Sequence, residues 1–159
     1  MITENEAGDG IPLFCKKRTA LYVSFSTRKP GRCIRAWYRI SARISAVTLL
    51  NRGYDTIIVD YGTPFGITAL YELLSMRRRH DYNFTLVAVK IVGEGNYFTD
   101  RKKEIKELAA CDKTLGLIGK SDFLSTCVSH SSAMVNGNQI LYHNSRISHR
   151  LIKYLKKLR

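Results

Sequence analysis

The stretch from Gly53 to Glu72, GYDTIIVDYGTPFGITALYE, constrains the fold of this chain more than any other. Thr56-Ile57-Ile58-Val59 is a β-branched run with no polar alternation. Only a strand covered on both faces accommodates such a run. Gly62 and Gly66 follow directly, and then an apolar-rich segment with helical spacing. A strand that breaks into a glycine turn and opens a helix is where α/β proteins bind phosphate. The glycines let backbone approach a ligand, and the first N–H groups of the helix lack partners of their own.

The rest of the chain supplies the matching elements. Thr19 to Ser26 reads as a first strand, and Thr27 to Gly31 as a turn. Arg32 to Asn51 reads as a helix whose apolar positions Ile34, Trp37, Ile40, Ile44 and Val47 are expected to face inward. Gly53 lies just past its end, as a helix stop should. The second strand is Asp55 to Asp60, and the second helix runs from about Ile67 to Arg79. Asn83 to Val92 is a third strand, Thr99 to Ala110 a polar helix, and Lys113 to Ile118 a fourth strand. Ser121 to Met134 is mixed, with a short helix, and Gln139 to His143 is a fifth strand. Ser145 to Leu158 is a last amphipathic helix. Strands alternating with helices imply one Rossmann-like α/β domain, 13–159, with about five mainly parallel strands flanked by helices. Residues 1–12 read as a loose arm.

Charge bounds the partners. The 159 residues carry a net charge of +13. Ten of the basic residues fall between Gly10 and Tyr54, where there is no acidic residue. Within them Arg32, Arg35, Arg39 and Arg43 recur at helical spacing beside the apolar positions. Such a field attracts nucleotides, nucleic acid or an acidic partner. No run approaches a membrane span, and the acidic start of the chain is unlike a signal peptide, so no membrane partner and a cytoplasmic site are expected. The four cysteines form no C-x-x-C pair and fit free thiols in a reducing compartment.

Other patterns have bland explanations. Gly116 to Ser121 ends like a P-loop, but Thr114 stands where the first glycine is needed. Cys127, His130, His143 and His149 match no common zinc spacing, so no metal is expected. His130 lies among Ser129, Ser131 and Ser132, which suggests acid–base work or simply a serine-rich turn. No cofactor follows from any motif.

The order of features resembles the SLOG superfamily, most closely its YpsA-like branch. Four stretches carry the resemblance: Phe25 to Pro30 (FSTRKP), Gly53 to Ile58 (GYDTII), Gly62 to Glu72 (GTPFGITALYE) and Ser132 to Asn138 (SAMVNGN). The resemblance covers roughly Leu21 to His143. Thr68 stands at the family's Asp position, and Glu72 fits its glutamate only with a one-residue gap. The P-G-G-x-G-T-x-x-E motif of the family's phosphoribohydrolases is missing. The resemblance implies binding or sensing of a nucleotide-derived ligand, of the NAD, ADP-ribose or mononucleotide class, rather than turnover. The expected ligand residues are Ser26, Thr27, Arg28, Gly62, Thr63, Gly66, Thr68 and Glu72, with Arg28 on phosphate. No residue is assigned a catalytic role. The alternatives are a nucleic-acid-binding protein using Arg32, Arg35, Arg39 and Arg43, and an N-glycosidic hydrolase using Asp60 or Glu72. Self-association is left open.

Overall fold

A computed structural model describes residues 18–24, 30–91 and 101–142, together with 149, 152, 153 and 156. The elements in order are β1 (Thr19–Tyr22), α1 (Arg32–Asn51), β2 (Thr56–Asp60), α2 (Pro64–Arg79), β3 (Thr85–Ile91), α3 (Arg101–Ala109), β4 (Lys113–Ile118), α4 (Lys120–Asp122), a π-helical continuation (Phe123–Val128), β5 (Ala133–Asn136) and β6 (Gln139–Leu141). The expected strand at Gln139 to His143 is β6, shorter by two residues, with His143 outside the described residues.

The strands form one sheet in the order β4-β3-β2-β1-β5-β6. Every neighbouring pair is parallel except the β5–β6 hairpin at one edge. β2 pairs on both sides, with β1 and β3, and Thr56 to Asp60 is buried throughout. The β-branched run therefore occupies the two-faced position expected of it. The helices lie on both faces, as the α/β reading requires. On one face Ala20, Tyr22, Ile57, Val59, Leu86 and Ala88 pack with α1 and α2. On the other, Leu21, Ile58, Val87, Val89 and Met134 pack with Phe123, Cys127 and Val128.

The strand at Ala133 to Asn136 is an addition to the expected five. Its signal was hidden because the segment is four residues long and turns at Gly137, whose φ of 61° suits a tight hairpin.

Helix α1 has the expected bounds but the opposite orientation. Ile34, Trp37, Ile40 and Ile44 are 47–60% exposed. The buried positions are Ser41, Ala42, Ser45, Ala46 and Leu49, while Val47 is half-buried. The cause lies across the interface. Tyr22 is fully buried beneath this helix, and its ring stacks on Phe65 with centroids 6.0 Å apart. Its hydroxyl reaches Ser45 Oγ at 2.8 Å and donates to the Ala42 carbonyl at 3.2 Å. A large side chain on the sheet calls for small ones on the helix. Burial raises the Tyr22 hydroxyl pKa well above the usual tyrosine range, against a smaller lowering by Ser45.

The last expected helix is described only at His149, Ile152, Lys153 and Lys156, which are helical and exposed. The rest of 143–159 lies outside the described residues, as does the N-terminal arm. No helix among the described residues is long and apolar enough to cross a membrane.

Candidate functional site

The turn between β2 and α2 is a closed structure. Asp60, Thr63 and the residues from Tyr61 to Ile67 are all buried. Asp60 Oδ1 accepts from the Gly62 N–H at 3.1 Å. Thr63 caps α2: its Oγ1 accepts from the Gly66 N–H and donates to the Asp60 carbonyl, each at 3.2 Å. Pro64 occupies the first helical turn, where no N–H is needed. The helix thus begins three residues before the expected Ile67.

The need for glycine at 66 has a local cause. A Cβ built there would lie 1.6 Å from the Asp60 carbonyl oxygen and 2.8 Å from Thr63 Oγ1. The chain itself therefore requires glycine at 66, whether or not a ligand approaches. Gly62, Thr63 and Gly66 build the end of the strand and the start of the helix.

An open cleft lies one to two turns further along α2. It has a volume of about 580 Å³ and is lined by Arg32, Arg35 and Arg39 of α1, Ile67, Thr68 and Tyr71 of α2, and Lys103 of α3. Two groups of residues kept apart in the sequence meet here: Thr68, from the expected ligand set, and three of the four arginines of the alternative nucleic-acid set. Thr68 Oγ1 donates to the Pro64 carbonyl at 3.0 Å, so its hydroxyl oxygen is left only as an acceptor. Lys103 Nζ sits 4.6 Å from the centre of the Tyr71 ring, a cation–π contact. Tyr71 has its hydroxyl pKa raised, first by burial and then by Glu107 and Glu104. No carboxylate lines the cleft among the described residues.

A smaller hollow of about 250 Å³ adjoins it, lined by Ala36, Arg39, Ile40, Arg43 and Glu72. Glu72 Oε1 is 3.8 Å from Arg43 Nε, and the Arg43 Nη2 lies 2.6 Å from His80 Nε2. The arginine can only donate, so His80 Nε2 accepts and the imidazole carries its proton on Nδ1. Glu72 is therefore held by a partner on the α1 side and does not enter the larger cleft.

Tyr71 and Lys103 were not singled out in the sequence. Tyr71 had a usable signal, since it lies three residues after Thr68 and shares its helix face. Lys103 had none, because it comes from a separate helix. Ser26, Thr27 and Arg28 lie outside the described residues.

The remaining candidates have structural partners. Asp60 is fully buried. His130 Nδ1 lies 2.8 Å from the Thr126 carbonyl, Ser131 Oγ donates to the Cys127 carbonyl at 2.6 Å, and Ser129 Oγ donates to the Ser125 carbonyl. These bonds tie the serine-rich turn to the preceding helical segment, and Ser129 Oγ also lies 3.2 Å from His130 Nδ1. The P-loop-like stretch forms β4, Gly119 and the three-residue α4. Among the described residues, no group of three or more His, Cys, Asp and Glu side chains is placed to hold a metal ion.

No family model, curated protein or solved structure matches this chain.

Proposed function

We propose that the protein binds a nucleotide-derived ligand, of the NAD, ADP-ribose or mononucleotide class, with the ligand's phosphates between Arg32, Arg35, Arg39 and Lys103. The observation that carries this reading is a cleft with four cationic side chains and no lining carboxylate. Guanidinium groups match phosphate geometry, and their charge-assisted hydrogen bonds are stronger than neutral ones. Ile67 and Tyr71 offer an apolar wall for a base or ribose. The cleft volume lies in the range of small-molecule sites. The resemblance in motif order to the SLOG superfamily supports the same ligand class. Asp60 is buried and Glu72 is held by Arg43, so among the described residues no carboxylate lines the cleft to activate water, which favours binding over hydrolysis. A cytoplasmic site fits this reading, since an exposed thiol such as Cys33 stays reduced there.

Calorimetry with NAD, ADP-ribose and AMP tests the proposal. The unaltered chain should bind at least one of them. Replacing Arg32, Arg35 and Arg39 together by Ala should weaken binding by tenfold or more without changing the melting temperature. Absence of binding by the unaltered chain to all three ligands removes the proposal.

A second reading has one specific support. Arg32 to Arg43 form a line of guanidinium groups about 16 Å long on one helix, matching the rise of eleven residues. That length suits several phosphates of a nucleic-acid strand. Binding of this kind would weaken steeply with salt and be insensitive to base sequence. A gel shift at low salt with no retardation of DNA or RNA eliminates it.

A further inference from the structure

Helix α1 leaves a second face open, of which the nucleotide reading uses only Arg39 at its border. Ile34, Trp37, Ile40 and Ile44 form one exposed ridge with spacings of three, three and four residues. The ridge is about 15 Å long at helical rise. Arg39 and Arg43 stand across the helix crest from it, and the small hollow of Ala36, Arg39, Ile40, Arg43 and Glu72 lies between. The helix itself carries no acidic residue. Four large apolar side chains in a row form a patch of the kind that marks interaction surfaces, whereas single exposed ones do not.

We infer that this face docks an acidic amphipathic helix of another protein, its apolar stripe on Ile34, Trp37, Ile40 and Ile44 and its carboxylates on Arg39 and Arg43. The charge pattern selects this occupant. A second copy of the chain would bring +13 against +13, with arginines near arginines. A bilayer is flat and leaves the 250 Å³ hollow unfilled, while a helix lays side chains into such a hollow. Glu72 is the one carboxylate in the hollow's lining, and Arg43 already holds it. An incoming acid therefore finds Arg39 and the outer side of Arg43. The inference does not rest on the nucleotide reading, because its decisive side chains are the isoleucines and Trp37, none of which lines the larger cleft.

Trp37 is the sole tryptophan, so its emission reports the face directly. The experiment selects from a displayed library of helical peptides about 14 residues long, enough to span the ridge, on the immobilised full chain. Selected peptides should carry apolar residues at i, i+3 and i+4 with Asp or Glu alongside, and each should shift Trp37 emission to the blue. Ile40→Ser combined with Ile44→Ser should weaken them tenfold or more. Both positions are exposed, so circular dichroism and the melting transition should stay those of the unaltered chain. Nucleotide calorimetry on the same variant should be unchanged, which separates this outcome from failure of the ligand reading. Peptides with no acidic bias, or peptides that bind the double variant equally well, overturn the inference. So does a blue shift with phosphatidylserine vesicles and none with any selected peptide, which transfers the face to a membrane surface. Concentration-dependent burial of Trp37 in the protein alone overturns it in favour of a second copy.

Discussion

The turn after β2 and the cleft on α1 sit at opposite extremes of the same molecule. In the turn, Asp60, Gly62, Thr63 and Gly66 are buried and linked through Asp60 Oδ1, the Asp60 carbonyl and Thr63 Oγ1. In the cleft, Arg32, Arg35, Arg39 and Lys103 line open space, with no carboxylate in the lining among the described residues. The glycine turn that first suggests a ligand site makes its bonds within the chain. The arginine stripe lines an open cleft instead, where the nucleotide proposal puts phosphate. Glycine and threonine at a strand-to-helix junction are needed for geometry whether or not a ligand comes. Unpaired arginines gathered on a concavity have no such structural use.

The largest expected effect tests the turn. Gly66→Val should abolish cooperative folding, because its Cβ would penetrate the Asp60 carbonyl and backbone cannot move aside cheaply. A loss of more than about 4 kcal/mol belongs to this kind of overpacking. A soluble variant with a normal thermal transition and lost ligand binding would instead return the turn to the ligand site.

A pH effect comes next. Burial, helped by the charge of Asp60, pushes the Cys127 thiol up to about 12. The folded state then keeps this proton in a range where the unfolded chain has lost it. The stabilisation is complete below the ordinary thiol value near 9 and is lost as pH rises toward 12. The slope is about 1.4 kcal/mol per pH unit from this one group. Chemical denaturation between about pH 9 and pH 11, inside that window, should show that slope, and Cys127→Ala should reduce it. Equal slopes for the variant and the unaltered chain would count against the buried placement of Cys127.

Thr63→Ala should cost about 1 kcal/mol, the usual value of an N-cap. Urea unfolding reads it as a lowered midpoint with an unchanged m-value. A cost below a few tenths would mean that the cap bond to the Gly66 N–H contributes little.

The smallest stability effect belongs to the cleft. Arg35→Ala should change unfolding free energy by less than about 0.5 kcal/mol, as expected of an exposed side chain with no partner. The same change should still weaken nucleotide binding. A clear stability loss at Arg35 would give the arginine ridge a structural role and blur the contrast between the two regions.

Much of the architecture was legible in the chain. The β-branched run at Thr56 to Val59 has one comfortable home, between two strands and under helices on both faces. The bounds of α1 and β4 follow from local signals that need no tertiary context, such as Gly53 with its φ of 90° just past the helix end. The candidate site was legible only in pieces. The arginine ridge was visible as a spacing, and Thr68 as a position in a motif. Their meeting was not, because α1 and α2 approach through residues far apart in sequence. Lys103 arrives from a third helix with no periodic link to either.

The orientation of α1 shows why pattern alone stops there. Its sequence holds two apolar stripes, one of large residues at Ile34, Trp37, Ile40 and Ile44, and one of small residues around Ala42, Ala46 and Leu49. Hydrophobic periodicity favours the larger stripe, since apolar area drives burial. Tyr22 of the sheet and Phe65 of α2 reverse that preference, lying where only alanine and serine can approach closely. By itself the sequence determined strands, helices, their parallel order and the sign of the charge, because these follow from backbone preference, local periodicity and composition. The tertiary structure decided which face of α1 is buried and which arginines share a cleft. It also decided that Gly66 serves its own backbone. Those outcomes depend on the volume and shape of side chains that meet only when the chain has folded.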